Sequence, residues 1–367
     1  MLNAWFAERG IALSSLSGDS AVALRFSTAS DEHLATRRRA GLFDFSFMGG
    51  WEVFGRGALA FLHRLQTRNL NLLARGRIAY TLLCRDDGTV TVDATIWCVE
   101  RNRYWLFTGR RSDHAHLASI ATDFEVEIAA LLPGLAVIAL QGPASFSRIE
   151  ALAPGVAAGL PYFGFRQGAI AGIDAWIGRL GYTGEVGYEI LVSASAAIDV
   201  WKRIAQSAGP DEVRECGWEC ANALRIEAGY VHFAFELAGR VLPRELGLAR
   251  WVDLDRFAFI GRDALLANRR RPAGRRLVGV ALDRGRCDHP PPRATPVRSA
   301  AQLTSEAFSP VFDQHLALAF AEGAAATGSV VYTREGRRGR LARLPFFDPP
   351  RVVPRRAPDA RASVFVR

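Results

Sequence analysis

Lysine is almost missing from this 367-residue chain: of its 46 basic residues only Lys202 is a lysine. The net charge of +9 is therefore carried by arginine, and it reads as a composition biased towards that residue rather than a basic stripe built for a partner. The runs Arg37-Arg38-Arg39, Arg269-Arg270-Arg271 and Arg337-Arg338 lack interleaved aromatics and any nucleic-acid motif, so no nucleic-acid partner is expected. Long apolar runs are missing too. None approaches the roughly 20 residues needed to span a bilayer, so no membrane role is expected. The first ten residues contain Glu8 and Arg9 and lack the basic–apolar–small order of a signal peptide. Cysteine is scarce: five residues, an odd number without zinc-type pairing, point to a reducing, cytoplasmic setting. Cys216 and Cys220 read as small core residues on one helix face. None of the seven histidines stands at metal-ligand spacing from a cysteine or an acid, and His114 and His116 read as surface; no metal is expected.

What is present is the composition of a globular enzyme, with 49% apolar and 23% charged residues and length enough for two or three cores. Ala58, Phe61, Leu62 and Leu65 have the spacing of an amphipathic helix within Gly57–Leu70. A second helix is predicted over Ser195–Gly209, with Ser195 as its cap and Gly209-Pro210 as its stop. A third carries Arg225 and ends at Gly229. Strands are predicted at Val90–Val99, Tyr104–Phe107, Ala136–Leu140, Ile173–Ile177, Tyr188–Val192 and Leu277–Leu282. Short strands and helices without regular βαβ alternation indicate an α+β fold. An arginine-rich stretch at Asn268–Pro272 and a proline-rich one at Cys287–Pro296 place a domain boundary near residue 272. That gives an N-terminal region 1–272, of two interleaved subdomains, and a β-rich C-terminal domain 273–367.

Two segments carry candidate chemistry. In Gly181-Tyr182-Thr183-Gly184-Glu185-Val186-Gly187-Tyr188-Glu189-Ile190 the glycine density implies a shaped turn, with Glu185 at its lip. Such a carboxylate would suit a planar heterocycle offering an amino group beside a ring N–H, or else is simply solvated. In Val90-Thr91-Val92-Asp93-Ala94-Thr95-Ile96-Trp97, alternation puts Val90, Val92, Ala94 and Ile96 on a core face, with Thr91, Asp93, Thr95 and Trp97 opposite.

These segments belong to an ordered set. The decapeptide resembles the G-Y-T-G-E-x-G-[FY]-E-I signature of the glycine-cleavage T-protein (aminomethyltransferase) family. Ala40–Gly49 is similar to that family's A-G-[VL]-F-D-x-S-x-M-G, and Ala139–Pro143 matches its A-L-Q-G-P. Ala223–Gly229 is similar to T-L-R-L-E-A-G, Phe259–Leu265 to F-I-G-K-E-A-L, and Leu303–Pro310 to V-T-S-G-x-x-S-P. Six such motifs in order are specific where one alone is weak.

The resemblance implies a multi-domain folate-binding fold with a C-terminal β-barrel or jelly-roll-like domain. It further implies tetrahydrofolate as cofactor and transfer of an aminomethyl or methyl group to or from a small one-carbon donor or acceptor. Asp93 falls on the family's catalytic aspartate, where a carboxylate beside N5 and N10 acts as base and stabilises developing positive charge. Glu185 falls on the glutamate that pairs with the pterin edge and Arg225 on a folate-contacting arginine. Tyr80 falls on an aromatic against the cofactor and Met48 on a methionine near the pterin. Tyr182 and Thr108 complete the expected cofactor set. Part of the arginine charge suits a polyanionic ligand such as a folate's glutamate tail.

Departures exist. Val92 replaces the first acid of the family's D-D pair, Gly109 after Thr108 stands where an asparagine is expected, and Cys220–Arg225 replaces A-R-D-T-L-R. The Asp93 strand is more like the folate portions of dimethylglycine and sarcosine dehydrogenases. This admits a folate-dependent O-, S- or N-demethylase or methyltransferase as an alternative, with a carrier or oxidase protein as partner. A non-catalytic folate-binding protein of iron–sulfur assembly is the further alternative, against which the absent K-G-C-Y-x-G-Q-E cysteine counts.

Overall fold

The computed structural model describes residues 2–16, 20–207, 212–272, 274–283, 301–322, 326–333 and 337–356. The proline-rich Cys287–Pro296 stretch and the Gly209-Pro210 stop lie outside the described residues.

The chain opens with helix α1 (Leu2–Glu8), a hairpin β1 (Leu13–Ser15) and β2 (Ala21–Ala23), then α2 (Ala29–Arg38), β3 (Gly41–Asp44), β4 (Gly49–Phe54) and α3 (Ala58–Leu65). A meander follows of β5 (Ile78–Cys84), β6 (Val90–Glu100) and β7 (Arg103–Thr108), then α4 (His114–Ala121), β8 (Glu127–Ala130), β9 (Leu135–Gln141) and α5 (Ser145–Leu152). Next come β10 (Phe165–Ile170), β11 (Ile173–Gly178), β12 (Gly187–Ser193), α6 (Ala197–Gln206), β13 (Arg214–Glu215), α7 (Trp218–Glu227) and α8 (Arg262–Ala267). The last strands are β14 (Arg275–Leu282), β15 (Ala301–Ser309), β16 (Gln314–Glu322), β17 (Val330–Tyr332) and β18 (Arg338–Ala342).

Three sheets organise these elements: a six-stranded one in the order β10-β11-β12-β9-β3-β13, and two five-stranded ones, β5-β6-β7-β4-β8 and β15-β16-β14-β18-β17. The mixed α+β architecture expected from the element pattern is therefore present. The six-stranded sheet buries one face under α1 and α6, around Phe6, Ile138, Tyr188, Ile190 and Trp201. Its other face meets the first five-stranded sheet through Phe43, Val137 and Leu191 against Trp97, Trp105 and Phe107. The outer face of that sheet is covered by α3 and α4 through Val53, Phe61, Leu62, Ile96 and Leu117.

Alternation assigns each strand residue to one of these cores. Along β6, Val92, Ala94 and Ile96 point to the outer core, which leaves Asp93 and Thr95 on the face towards the six-stranded sheet. Along β12, Tyr188, Ile190 and Val192 enter the α1–α6 core, while Glu189 and Leu191 face the other way. Two local expectations differ. Helix α3 stops at Leu65 rather than Leu70, because the buried Gln66 side chain turns back to accept from the Thr81 hydroxyl and from the Arg68 N–H at 2.6 Å. Ser195 does not cap α6; its hydroxyl pairs with Ser193 at 3.0 Å and the helix begins at Ala197. Among the described residues no helix is long and apolar enough to cross a membrane.

Candidate active site

Where the inter-sheet core opens, a cavity of about 1180 Å³ remains. Its walls come from β5, β6 and the end of β7, from Leu180–Tyr182 and β12, and from the segment after α7 (Gly229–Phe233). Leu246–Trp251 and the C-terminal strap up to Arg355 close it. Asp93, Tyr80, Met48, Tyr182 and Thr108 all line this one space. The two sheets each contribute one acid, Asp93 from β6 and Glu189 from β12.

Asp93 accepts a hydrogen bond from Tyr80 Oη at 3.0 Å. Burial pushes its carboxyl up to about 6; the Tyr80 bond pulls the other way and Glu236 adds to the rise. Tyr80 itself is pushed well above the usual phenol range by burial and by Asp93, so it remains a donor. Its ring meets Trp251 edge-on at 5.7 Å. Tyr182 Oη donates to the Val231 carbonyl at 2.5 Å, and its ring stacks on Tyr230 at 5.9 Å. Thr108 lines the wall, and its hydroxyl donates to Asp113 at 2.7 Å.

Glu189 was not singled out by the sequence, and it is the sharper finding. The residue is 9% exposed, and among the described residues no hydrogen bond to its carboxylate is found. Burial alone drives the carboxyl up to about 7. The signal was available in β12, where a single charged residue shares a face with Gly187 and Leu191. The turn-lip position of Glu185 drew the reading instead.

Two expected ligand residues stand outside the cavity. Glu185 does not sit at a solvent lip: its carboxylate meets Arg37 at 2.9 Å, and both side chains are about 95% buried. Arg37 also reaches Glu227 at 2.6 Å, His33 meets Glu227 at 2.7 Å, and Ser309 donates to the same carboxylate. The Phe347 ring covers the Arg37 guanidinium at 3.7 Å. Burial would raise Glu227, yet Arg37, His33 and Ser309 hold it down at about 2. Arg225 is likewise fully buried behind the wall, bonded to Glu236 at 2.7 Å, the Tyr230 carbonyl at 3.1 Å and Asn222 at 2.9 Å. Glu236 also accepts from the His232 N–H and from Thr304. Both pairs are framework: the first joins α2, α7, the glycine turn and β15, and the second pins the cavity-lining segment after α7.

The glycines of the turn have a structural cause as well. A Cβ on Gly181 or Gly187 would fall 1.7 or 2.2 Å from the Gln141 side-chain oxygen, and Gly184 sits at φ +79°. Gln141 belongs to the Ala139–Pro143 motif, so two distant motifs form one interlocked unit. Gly109 answers to a similar demand, since a Cβ there would lie 2.2 Å from the Phe233 ring. Any side chain at 109, asparagine included, would have to displace Phe233.

One group of metal-ligand types occurs among the described residues, Glu32, Cys216 and Cys220. The Glu32 oxygens already accept from the Phe26, Ser27 and Gly217 N–H groups, and burial pushes the Cys220 thiol well up, which makes it a structural cluster.

Two facing sheets enclose one cavity, and each sheet turns a carboxylate into it, Asp93 and Glu189. The model of the GCVT N-terminal domain matches residues 2–256, and the chain belongs to this aminomethyltransferase family. It is similar to the aminomethyltransferase of Moorella thermoacetica, 32% identical over 336 residues, covering 89% of this chain and 92% of that one. It is equally similar to the aminomethyltransferase of Streptomyces avermitilis, 32% identical over 343 residues, covering 88% and 91%. Among solved structures, the glycine cleavage system aminomethyltransferase T from Bartonella henselae superposes with a TM-score of 0.78 at 24% identity, covering 94% of this chain and 96% of that one. That likeness speaks to the fold.

Proposed function

We propose that the chain is a tetrahydrofolate-dependent one-carbon transferase that seats the pterin in this cavity and moves an aminomethyl or methyl group between it and a small substrate. The observation that carries this reading is the pair of cavity carboxylates, Asp93 and Glu189, neither with a cationic partner. The buried acids Glu185, Glu227 and Glu236 are by contrast each matched to an arginine, and Glu32 to three backbone N–H groups. The residues fit the group. A buried acceptor without a donor, in an apolar wall, suits an amino group beside a ring N–H, which together present two parallel donors. Tyr182, Tyr230, Met48 and Phe47 supply flat apolar surface around it.

Tetrahydrofolate, when bound, supplies the nucleophilic nitrogen that exchanges the one-carbon unit. Glu189 holds the pterin edge and sets its orientation. This requires the carboxylate form, so affinity improves as pH rises through about 7. Asp93, held by Tyr80, faces the reacting region; ionised above about 6, it takes a proton and stabilises positive charge developing nearby. The aromatic walls exclude water from that region. The domain boundary near residue 272 is part of the same proposal, since β14–β18 form a sheet of their own beyond it. A carrier or oxidase protein would deliver the donor.

The test is incubation with tetrahydrofolate and a panel of donors (aminomethyl on a lipoyl carrier, N-methyl, O-methyl and S-methyl compounds), followed by mass spectrometry of the folate. A 5,10-methylene product supports aminomethyl transfer, and a 5-methyl product the demethylase alternative. A folate that protects the protein thermally yet stays unchanged favours a non-catalytic binder. Absence of binding sinks the proposal.

A further inference from the structure

One polar side chain of the cavity wall has no part in the chemistry above. His232, in the segment after α7, lines the cavity beside Phe233 and is only 4% exposed. The Ala234 N–H donates to its Nδ1 at 3.2 Å, which places the ring proton on Nε2. That Nε2 is buried and has no hydrogen-bond partner. Among the described residues it is the only buried, unpartnered side-chain nitrogen that belongs to a residue of this wall.

The ring is held in place. It packs against Phe233 at 4.2 Å and against Trp218 and Phe235 at 5.0 Å, none of which offers a conventional acceptor. The His232 N–H donates to Glu236 at 2.9 Å, and its carbonyl accepts from the Phe235 N–H at 3.1 Å. The two residues before it are fixed as well, Tyr230 by Arg225 and Val231 by Tyr182, each through its carbonyl. Burial, and then the charge of Arg225, bring the imidazole down to about 3. It therefore stays neutral near pH 7, with one proton to donate.

An unpaired buried N–H is costly, and in the wall of a ligand cavity an incoming acceptor removes that cost. The acids Asp93 and Glu189 answer donors; this N–H answers an oxygen or nitrogen lone pair. A reduced pterin donates from its 2-amino group, N3 and N8. It accepts at N1 and at the 4-oxo oxygen, and the carbonyl is the stronger acceptor of the two. We propose that the His232 Nε2–H donates to the 4-oxo oxygen of the bound pterin, so that the cavity selects a ring with a carbonyl at that position over one with an amino group. The inference rests on the folate reading above and adds to it a residue that decides which pteridine is accepted.

The experiment is an anaerobic calorimetric titration of the full chain with tetrahydrofolate and with its 4-amino counterpart, tetrahydroaminopterin. Wild type, His232→Phe and His232→Gln are compared, with thermal melts to show that each is folded. The wild type is expected to prefer the 4-oxo ligand by about a hundredfold. Part of that preference belongs to Glu189, because the 4-amino ring lacks the N3–H. The part belonging to His232 is what the variants remove, about tenfold in each. His232→Phe keeps an aromatic ring among aromatic neighbours and loses affinity for the 4-oxo ligand. His232→Gln keeps that affinity within a few-fold and gains affinity for the 4-amino ligand, since its amide can turn either a donor or an acceptor to the ring. A measurement independent of the variants is proton NMR of the wild type labelled with 15N-histidine. The Nε2 proton is expected to move downfield when tetrahydrofolate binds and to stay in place when tetrahydroaminopterin binds. Equal affinities in the wild type, a preference unchanged in both variants, or an Nε2 signal unmoved by bound tetrahydrofolate each overturn this inference and leave the folate reading intact. Failure of both ligands to bind the wild type removes the folate reading itself.

Discussion

The Arg37–Glu185–Glu227–His33 network and the cavity are built from the same residue types and behave in opposite ways. In the network every carboxylate is met by a guanidinium, an imidazole or a hydroxyl, and Glu227 is held down at about 2. In the cavity Asp93 and Glu189 have no cation, and their carboxyls rise to about 6 and about 7. Burial is common to both regions; compensation is what separates framework from site. A buried charge that is already answered holds the fold together. On the proposed reading, one left unanswered is held for a ligand.

Breaking the network tests the comparison hardest. Arg37→Met leaves two buried carboxylates without their cation and is expected to cost about 3–5 kcal/mol of stability by chemical denaturation. A cost below about 1 kcal/mol would place Arg37 among the solvated arginines. Asp93→Asn works at the other pole. The apoprotein keeps its fold and folate affinity within a few-fold, while turnover drops about 10²-fold or more, read by single-turnover mass spectrometry. Full activity in that variant removes Asp93 from the chemistry.

Glu189→Gln has the smallest effect on turnover and the most informative pH behaviour. Loss of a charge-assisted double hydrogen bond corresponds to about 1.5–3 kcal/mol of folate affinity, roughly 10- to 150-fold, and the rise of affinity through pH 7 disappears with it. Stability runs the other way. Because the folded carboxyl at about 7 lies above its ordinary value near 4.5, the folded state binds the extra proton between those limits. Apoprotein stability attributable to Glu189 therefore falls as pH rises from about 4.5 to 7, and Glu189→Gln removes that slope in thermal melts. Glu227 has the opposite sign: its contribution is complete above about 4.5 and is lost as pH falls towards 2. Melts of Glu189→Gln that keep the wild-type slope would show that Glu189 is solvated or paired after all.

Local pattern carried the strand containing Asp93, because two-residue alternation is a property of neighbours and survives any tertiary arrangement. It carried the α7 helix and its stop at Gly229 for the same reason. It misplaced Glu185. A turn full of glycines looks like a ligand surface until the Gln141 side chain, 40 residues earlier in the chain, is found filling the space beneath it. Arg225 was read for its motif, and its partner Glu236 lies on an irregular segment with no periodicity to announce it.

The chain's own order of residues determined its family, its α+β class and which residue types each strand turns towards a core. Those follow from short-range sterics and from motifs that need no partner to be read. Which of its carboxylates face a cavity and which are sealed against arginines was settled only when distant segments packed, because charge compensation depends on through-space distance, and sequence separation carries no record of it.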